Sequence, residues 1–330
     1  MIKPTGFPDQ RTTTLPPRWL RDAVMWSSAR LAAGLQAVRG NRCDQGFGIL
    51  MYHRVAPRIA GAAVPTWNVT PDRLRLQLEG LLDRGFEPWP LRRLIQAYND
   101  SQPVPANAFA VTFDDGHANN YTQAWPVLRE LNVPATIFLA TAYLDSAQAF
   151  PFDDWAAAGS TLVPADCWQP MSTEQCRELL AGGLVDLGAH THRHDRFLGR
   201  PEAFRQDMLA CLAVLHDQFG IDAPTFAFPF GARDAEMIDI AKQVGVVCSL
   251  STEYHRVTPN RDPFHWGRFN VESNDTGSTL AAKLSGWYGD VVAARKAVTR
   301  PLAGIVRGAR VNRNNQTPNG ADSKKIVPQT

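Results

Sequence analysis

From Gly46 onward the chain alternates short, unbroken apolar runs with stretches of helical periodicity, and this alternation narrows the fold more than any other feature. Gly48 to His53, Phe109 to Phe113, Ala135 to Ala140, Leu184 to Ala189, Thr225 to Phe230 and Val246 to Leu250 each read as a strand. Between them, residues 71–84, 91–98, 121–131, 173–181, 201–219 and 234–244 carry apolar residues at helical spacing, as in Leu74, Leu78, Leu81 and Leu82. A strand with one wet face alternates apolar and polar residues. These do not, so both of their faces are covered. Helical crossovers make neighbouring strands parallel, which predicts an α/β protein with a parallel sheet under helices. In a (β/α) barrel the C-terminal strand ends form the active-site face. Here the strands run into polar or glycine-containing continuations at His53, Asp114, Ala140, His190 and Phe230.

A chain of 330 residues holds one large α/β domain or two small ones, each able to bury a core. A net charge of +2 gives no case for a nucleic-acid substrate. Five widely spaced cysteines (Cys43, Cys167, Cys176, Cys211, Cys248) include no Cys-x-x-Cys pair, which disfavours a thiolate metal site and favours a reduced compartment. Met1 to Pro17 lacks the apolar segment of a signal peptide, and no run of about 18 uncharged apolar residues predicts a membrane span. A cytoplasmic or peripherally membrane-associated protein is therefore expected. Residues 1–46 read as an N-terminal extension, 47–300 as the catalytic domain and 301–330 as a disordered polar tail. Within the extension, Trp19 to Val38 has the spacing of an amphipathic helix, with Leu20, Val24, Leu31, Leu35 and Val38 near one face and Arg18, Arg21, Arg30 and Arg39 around it. Packing on the catalytic domain is the favoured reading and contact with a membrane surface the alternative.

The chemistry concentrates at two predicted strand ends. Thr112-Phe113-Asp114-Asp115-Gly116-His117 places a paired carboxylate after an apolar strand, and His190-Thr191-His192-Arg193-His194 follows about 75 residues later. One carboxylate and two histidines form the ligand set of a hydrolytic metal site with open coordination positions. Asp115, His190 and His194 supply that set, and Asp114 is left free to take a proton from water. Asp-Gly pairs also end strands without any further role, and His-x-x-x-His recurs by chance. Three histidines within five residues after an apolar strand are harder to attribute to chance. If the segment forms a helical turn, His190 and His194 share a face and His192 points away; if it is extended, all three share a face. The first arrangement is preferred because it matches the ligand count.

Thr112 to Gly116 together with His190-Thr191-x-x-His194 resembles the first two motifs of the NodB-homology polysaccharide deacetylases, carbohydrate esterase family 4. Phe226-Ala227-Phe228-Pro229-Phe230-Gly231 is similar to the third, and Leu50-Met51-Tyr52-His53-Arg54-Val55 to the first strand of a subgroup acting on exopolysaccharide or wall glycans. The resemblance spans about residues 47 to 290. It implies a distorted (β/α) barrel, one divalent metal of the Zn²⁺ type, and removal of N-acetyl, sometimes O-acetyl, groups from a glycan. It makes Asp115, His190 and His194 the metal ligands and Asp114 the general base. It also implies an oxyanion donor at the Phe230 backbone and a groove wall from Phe228 and Pro229.

The pattern departs from the family in two places. Ala227 occupies the position of an arginine that orients the base aspartate. The final histidine motif, source of the general acid, has no clear match; His53 and His265 are the candidates, His53 slightly favoured because a strand end is rigid. Phe150-Pro151-Phe152-Asp153-Asp154-Trp155 reads equally as aromatics that cover the groove, Trp155 among them, or as core. An amidohydrolase acting on a small non-sugar amide, and a catalytically weak glycan-binding protein, are the alternatives to a deacetylase.

Overall fold

The computed structural model describes residues 18–40, 46–157 and 162–295. Cys43, residues 1–17 and the polar tail predicted over 301–330 lie outside the described residues. The chain divides into two compact units, Met1–Gly289 and Asp290–Thr330. The first carries all the elements below.

They run in the order α1 (Arg18–Arg39), β1 (Gly48–Tyr52), β2 (Arg54–Val55), β3 (Asn68–Val69), α2 (Pro71–Leu82), β4 (Glu87–Pro88), α3 (Leu91–Asn99) and β5 (Ala108–Phe113). There follow α4 (Trp125–Leu131), β6 (Ala135–Leu139), α5 (Asp154–Ala157), α6 (Thr173–Ala181), β7 (Val185–Ala189), α7 (Pro201–Phe219), β8 (Thr225–Ala227), α8 (Ala235–Gln243), β9 (Cys248–Leu250), β10 (Phe269–Asn270) and α9 (Gly277–Leu284). The main sheet has the order β10-β1-β5-β6-β7-β8-β9, with every pairing parallel and β4 added beside the start of β5. It curls into a half-barrel. A parallel bridge between Leu250 and Trp266, on the approach to β10, brings the two ends of the sheet toward each other.

Every residue of β1, β5 and β6 is buried, as their unbroken apolar sequences require. Two predicted elements end differently. The strand expected over 225–230 stops at Ala227, because Pro229 cannot donate to the ladder and Phe230 adopts φ 60 in a tight turn over Pro229–Gly231. The helix expected over 121–131 opens with a π turn at Asn120–Ala124 before α4. Inserting one residue per turn in this way is frequent beside functional sites. Here it lets Asn120 Nδ2 donate to the His53 carbonyl at 2.8 Å.

Helix α1 packs against α9, yet its buried face is Ser28, Ala29 and Ala32. The predicted apolar stripe is not that face: Leu31 is 59% and Val38 84% exposed. Small side chains let the two helix backbones approach closely. The Trp287 indole N–H donates to the Gly40 carbonyl at 2.8 Å, and the Tyr288 hydroxyl contacts the Met25 sulfur. Among the described residues no helix is long and apolar enough to cross a membrane.

Candidate active site and metal centre

At the end of β5 the Asp114 N–H still bonds the Tyr52 carbonyl of β1 at 2.9 Å, continuing the ladder for one residue. The chain then reverses sharply: Asp115 takes φ 73 and Gly116 φ 83. A left-handed aspartate is uncommon, and such strain persists only where the surroundings over-determine it. Gly116 is obligatory there, since a Cβ would lie 2.8 Å from the Leu139 side chain. The reversal turns both carboxylates into one cleft beyond the C-terminal strand ends.

The histidines arrive from β7, but not on a helical turn. The segment after Ala189 is an irregular loop in which Thr191 (φ 65) and His194 (φ 54) are both left-handed. The preferred helical arrangement is thus corrected while its consequence stands. His190 and His194 converge, with ring centroids 4.9 Å apart. His192 points away and meets Thr141 Oγ1 through Nδ1 at 2.9 Å. Two acceptors hold this costly conformation. Thr191 Oγ1 receives the His194 N–H at 3.0 Å, and the Asp207 carboxylate of α7 receives the N–H groups of His192 and Arg193 at 2.6 and 3.2 Å.

Asp115, His190 and His194 bring three ligand atoms within 4.8 Å of one another, all buried. His190 Nε2 and His194 Nε2 lie 3.4 and 3.3 Å from Asp115 Oδ1. Ligands about 2.0–2.2 Å from a tetrahedral ion sit roughly 3.3 Å apart, which is the separation of Asp115 Oδ1 from each histidine nitrogen, so these residues fit a divalent metal. The Ala227 carbonyl sits 2.8 Å from His190 Nδ1; accepting a proton there fixes the tautomer that frees Nε2. His117, quoted in the motif but given no role, lies buried with Nε2 3.5 Å from the other Asp115 oxygen, edge-on to Phe150. Burial would push the Asp115 carboxyl up; its hydrogen bonds from His117, His190 and His194 outweigh that and hold it well below the ordinary value.

Asp114 stands outside this set. Arg268, fully buried, donates Nη1 to Oδ1 at 2.6 Å and Nη2 to Oδ2 at 2.7 Å, with Nη1 also reaching Thr112 Oγ1 and Nε the Ser251 carbonyl. Burial pushes the Asp114 carboxyl up, but Arg268, with His190, overcomes it, and the group stays ionised below the usual carboxylate range. Arg268, just before β10, thereby holds Asp114 where Ala227 offers no guanidinium. Arg268 lies three residues beyond His265 in the sequence, and the Gly267 before it has no room for a side chain, since a Cβ there would lie 2.2 Å from the Glu253 carbonyl.

The two candidate acids separate. His53 lines the cleft, its Nε2 3.9 Å from Asp114 Oδ2, its ring stacked on Trp67 at 5.4 Å. Burial lowers its pKa from the ordinary histidine value, opposed only in part by Asp115 and Asp114. His265 sits in the turn Pro263–His265, away from the cleft lining.

The cleft has a volume of ≈ 360 Å³. Phe152, Phe230 and Trp67 supply its exposed aromatic surface. Phe152 lies against His194 with the ring centroids 4.2 Å apart and the planes tilted by 35°, and Phe230 meets the same ring edge-on at 4.8 Å. The segment 150–155 therefore does both things expected of it: Phe152 faces the cleft, while Phe150 and Trp155 are core. Trp155 packs with Ala56, Val163 and Cys167, not on the groove. Phe228 and Pro229 are buried too, Phe228 against Phe204 and Phe226, so the groove wall on this side is the Phe230 ring. A buried ion pair of Arg54 with Asp153 anchors the segment beside the cleft.

A family model described as polysaccharide deacetylase matches residues 101–249. The poly-β-1,6-N-acetyl-D-glucosamine N-deacetylase of Escherichia coli K12 is 23% identical over 228 residues, covering 61% of this chain and 33% of that protein. The chain thus spans about a third of the length of this relative. The enzyme of the same name from Staphylococcus epidermidis is 23% identical over 257 residues, covering 72% of this chain and 83% of its own. Among solved structures, IcaB from Ammonifex degensii aligns with a TM-score of 0.61 at 23% identity, covering 74% of this chain and 97% of that one. The Streptococcus pyogenes deacetylase PplD, in complex with acetate, aligns with a TM-score of 0.60 at 18% identity, covering 73% and 99%.

Proposed function

We propose that this chain is a polysaccharide deacetylase, a Zn²⁺-dependent N-deacetylase acting on a hexosamine polymer of the β-1,6-linked N-acetylglucosamine type. One observation carries this reading: an ionised carboxylate, clamped by Arg268, sits beside a three-ligand set without belonging to it.

Asp115, His190 and His194 would hold a divalent ion, which would supply the Lewis acidity that polarises an amide carbonyl and acidifies water. Asp114 then accepts the proton of the attacking water. Its depressed pKa keeps it in the basic form at neutral pH, and Arg268 keeps it oriented so that proton transfer costs no reorganisation. The backbone N–H of Phe230, a residue of the cleft lining, is assigned to the charge developing on the acyl oxygen. His53 protonates the departing amine. An arginine absent at 227 favours a protein that binds glycan without turning it over; Arg268 removes that ground.

The test is acetate release from β-1,6-linked N-acetylglucosamine oligomers by Zn²⁺-loaded protein, compared with its Asp114→Asn variant. The variant is expected to keep its metal and lose turnover by about 10²-fold or more. No acetate release by the intact protein refutes the reading, and loss of metal in Asp114→Asn reverses the roles of the two aspartates.

A further inference from the structure

The two histidine ligands are held in different ways. His190 is oriented through its second ring nitrogen, Nδ1, by the Ala227 carbonyl at 2.8 Å. A metal-binding histidine ordinarily has such a partner, because a hydrogen bond at the far nitrogen keeps the ring from turning off the ion. His194 lacks one: its Nδ1 is buried and meets no hydrogen-bond partner among the described residues. The bond from its N–H to Thr191 Oγ1 fixes the backbone but not the side-chain torsions. What bears on the ring itself is aromatic. Phe152 lies against it with the centroids 4.2 Å apart, and Phe230 meets it edge-on.

Phe152 needs an anchor of its own, since it is 38% exposed on the long connection between β6 and α6. Three bonds tie its segment to the chain that follows β1. Asp153 pairs with Arg54, both of them buried. Asp154 accepts the Thr66 N–H, and Trp155 Nε1 donates to the Ala63 carbonyl at 2.7 Å. Arg54 is itself fixed, with Nη1 donating to the Cys167 carbonyl at 3.3 Å and the guanidinium 4.8 Å from the centre of the Trp155 ring. The other Asp153 oxygen accepts the Trp155 N–H at 2.9 Å, so one carboxylate ties both the arginine and the turn behind Phe152. Phe150 stacks on Phe152 at 5.1 Å and meets His117 edge-on at 4.8 Å, which carries the same packing to the residue facing Asp115. Arg54 directly follows His53, so one strand end supplies both a cleft histidine and this anchor.

We propose that Arg54 and Asp153 are positioning residues for the metal centre: through Phe152 they hold the His194 ring on the ion in place of the hydrogen bond that it lacks. The inference rests on the metal-dependent reading above. Apolar residues of like volume often fill the space of a buried ion pair with equal stability. The pair adds a single fixed geometry, and retention of the ion depends on that geometry.

Release of Zn²⁺ from the loaded protein to a chelating dye, read beside the melting temperature of the metal-free protein, tests this. Phe152→Ala should release the ion about tenfold faster with little change in melting temperature, and Phe152→Tyr, which keeps the ring, should stay close to the intact protein. Asp153→Leu should release it faster by a similar factor and also melt lower, because the Arg54 charge is left buried without its partner. In the double variant Arg54→Met with Asp153→Leu that charge is gone, so the melting temperature should recover while release stays fast. Recovery of both means that the pair acts on stability alone and overturns the proposal. An unchanged release rate in Phe152→Ala overturns it as well. An intact protein that binds no Zn²⁺ overturns the metal-dependent reading itself and this inference with it.

Discussion

Replacing Arg268 by leucine isolates the interaction on which the site depends. The guanidinium is fully buried and makes two charge-assisted hydrogen bonds to Asp114. Removing one partner of a buried ion pair costs about 3–5 kcal/mol, because the remaining charge is left without compensation. In a domain of this size 1 kcal/mol moves Tm by roughly 2 °C, so a fall of about 8 °C is expected. The pH dependence gives the sharper signature. In the intact protein the Asp114 pKa is lowered, so its contribution to stability is present above the unfolded carboxylate value and is lost as pH falls through the folded one. Without Arg268, burial dominates and raises that pKa, and the ionised group becomes a burden that protonation relieves. The stability deficit of Arg268→Leu should therefore be largest near neutral pH and shrink toward about pH 4.5, and the acid limb of kcat/KM should move upward. Asp114→Leu should be destabilising for the mirror-image reason, and the double variant should recover most of either loss, with a coupling energy of about 3 kcal/mol. Thermal melts across pH, together with the double-mutant cycle, measure all of this. A deficit independent of pH, or losses that simply add, would refute the reasoning.

Substituting His190 or His194 by alanine should strip the divalent ion, checked by metal analysis; full occupancy in both variants would rule out the ligand set. His53→Ala should slow hydrolysis of an N-acetyl sugar by about 10²-fold and an aryl acetate far less, since a phenolate leaves without a proton; equal losses would assign His53 a structural role. Asp207→Ala should weaken metal affinity by about tenfold by releasing the loop that presents His194, and Asp207→Asn, which keeps an acceptor, should restore most of it. Competition titration with a chelator decides this, and equal affinity in the alanine variant would sink it. Burial pushes the Cys176 and Cys211 thiols up to about 12 and that of Cys167 to about 11, so these should resist alkylation at pH 8 until the protein unfolds; native-state labelling of any of them would contradict it.

Sequence alone was enough for the parallel α/β architecture, because strands buried on both faces must be apolar throughout, and β1, β5 and β6 are. It also singled out Asp114, Asp115, His190 and His194, which lie at two strand ends and which the fold gathers into one cleft, since ligand chemistry restricts residue type. His53, a strand-end candidate on the same ground, lines that cleft as well. What it could not contain were relations between segments far apart in the chain. Arg268 reaches Asp114 only because β10, two residues long and without a pattern of its own, closes beside β1. Trp155 and Phe228, aromatic like Phe152 and Phe230, are indistinguishable from them by residue type; the tertiary fold alone decides that the first pair is core and the second faces the cleft. The convergence of His190 and His194 was read correctly from their spacing, but through the wrong backbone. Local preference favours a helical turn, and the strained loop that replaces it is stable only because Thr191 Oγ1 and the Asp207 carboxylate, 13 residues on in α7, accept its N–H groups. Periodicity and residue type report what each segment buries, whereas the partners of a buried charge or a strained turn are set by which segments the fold brings together.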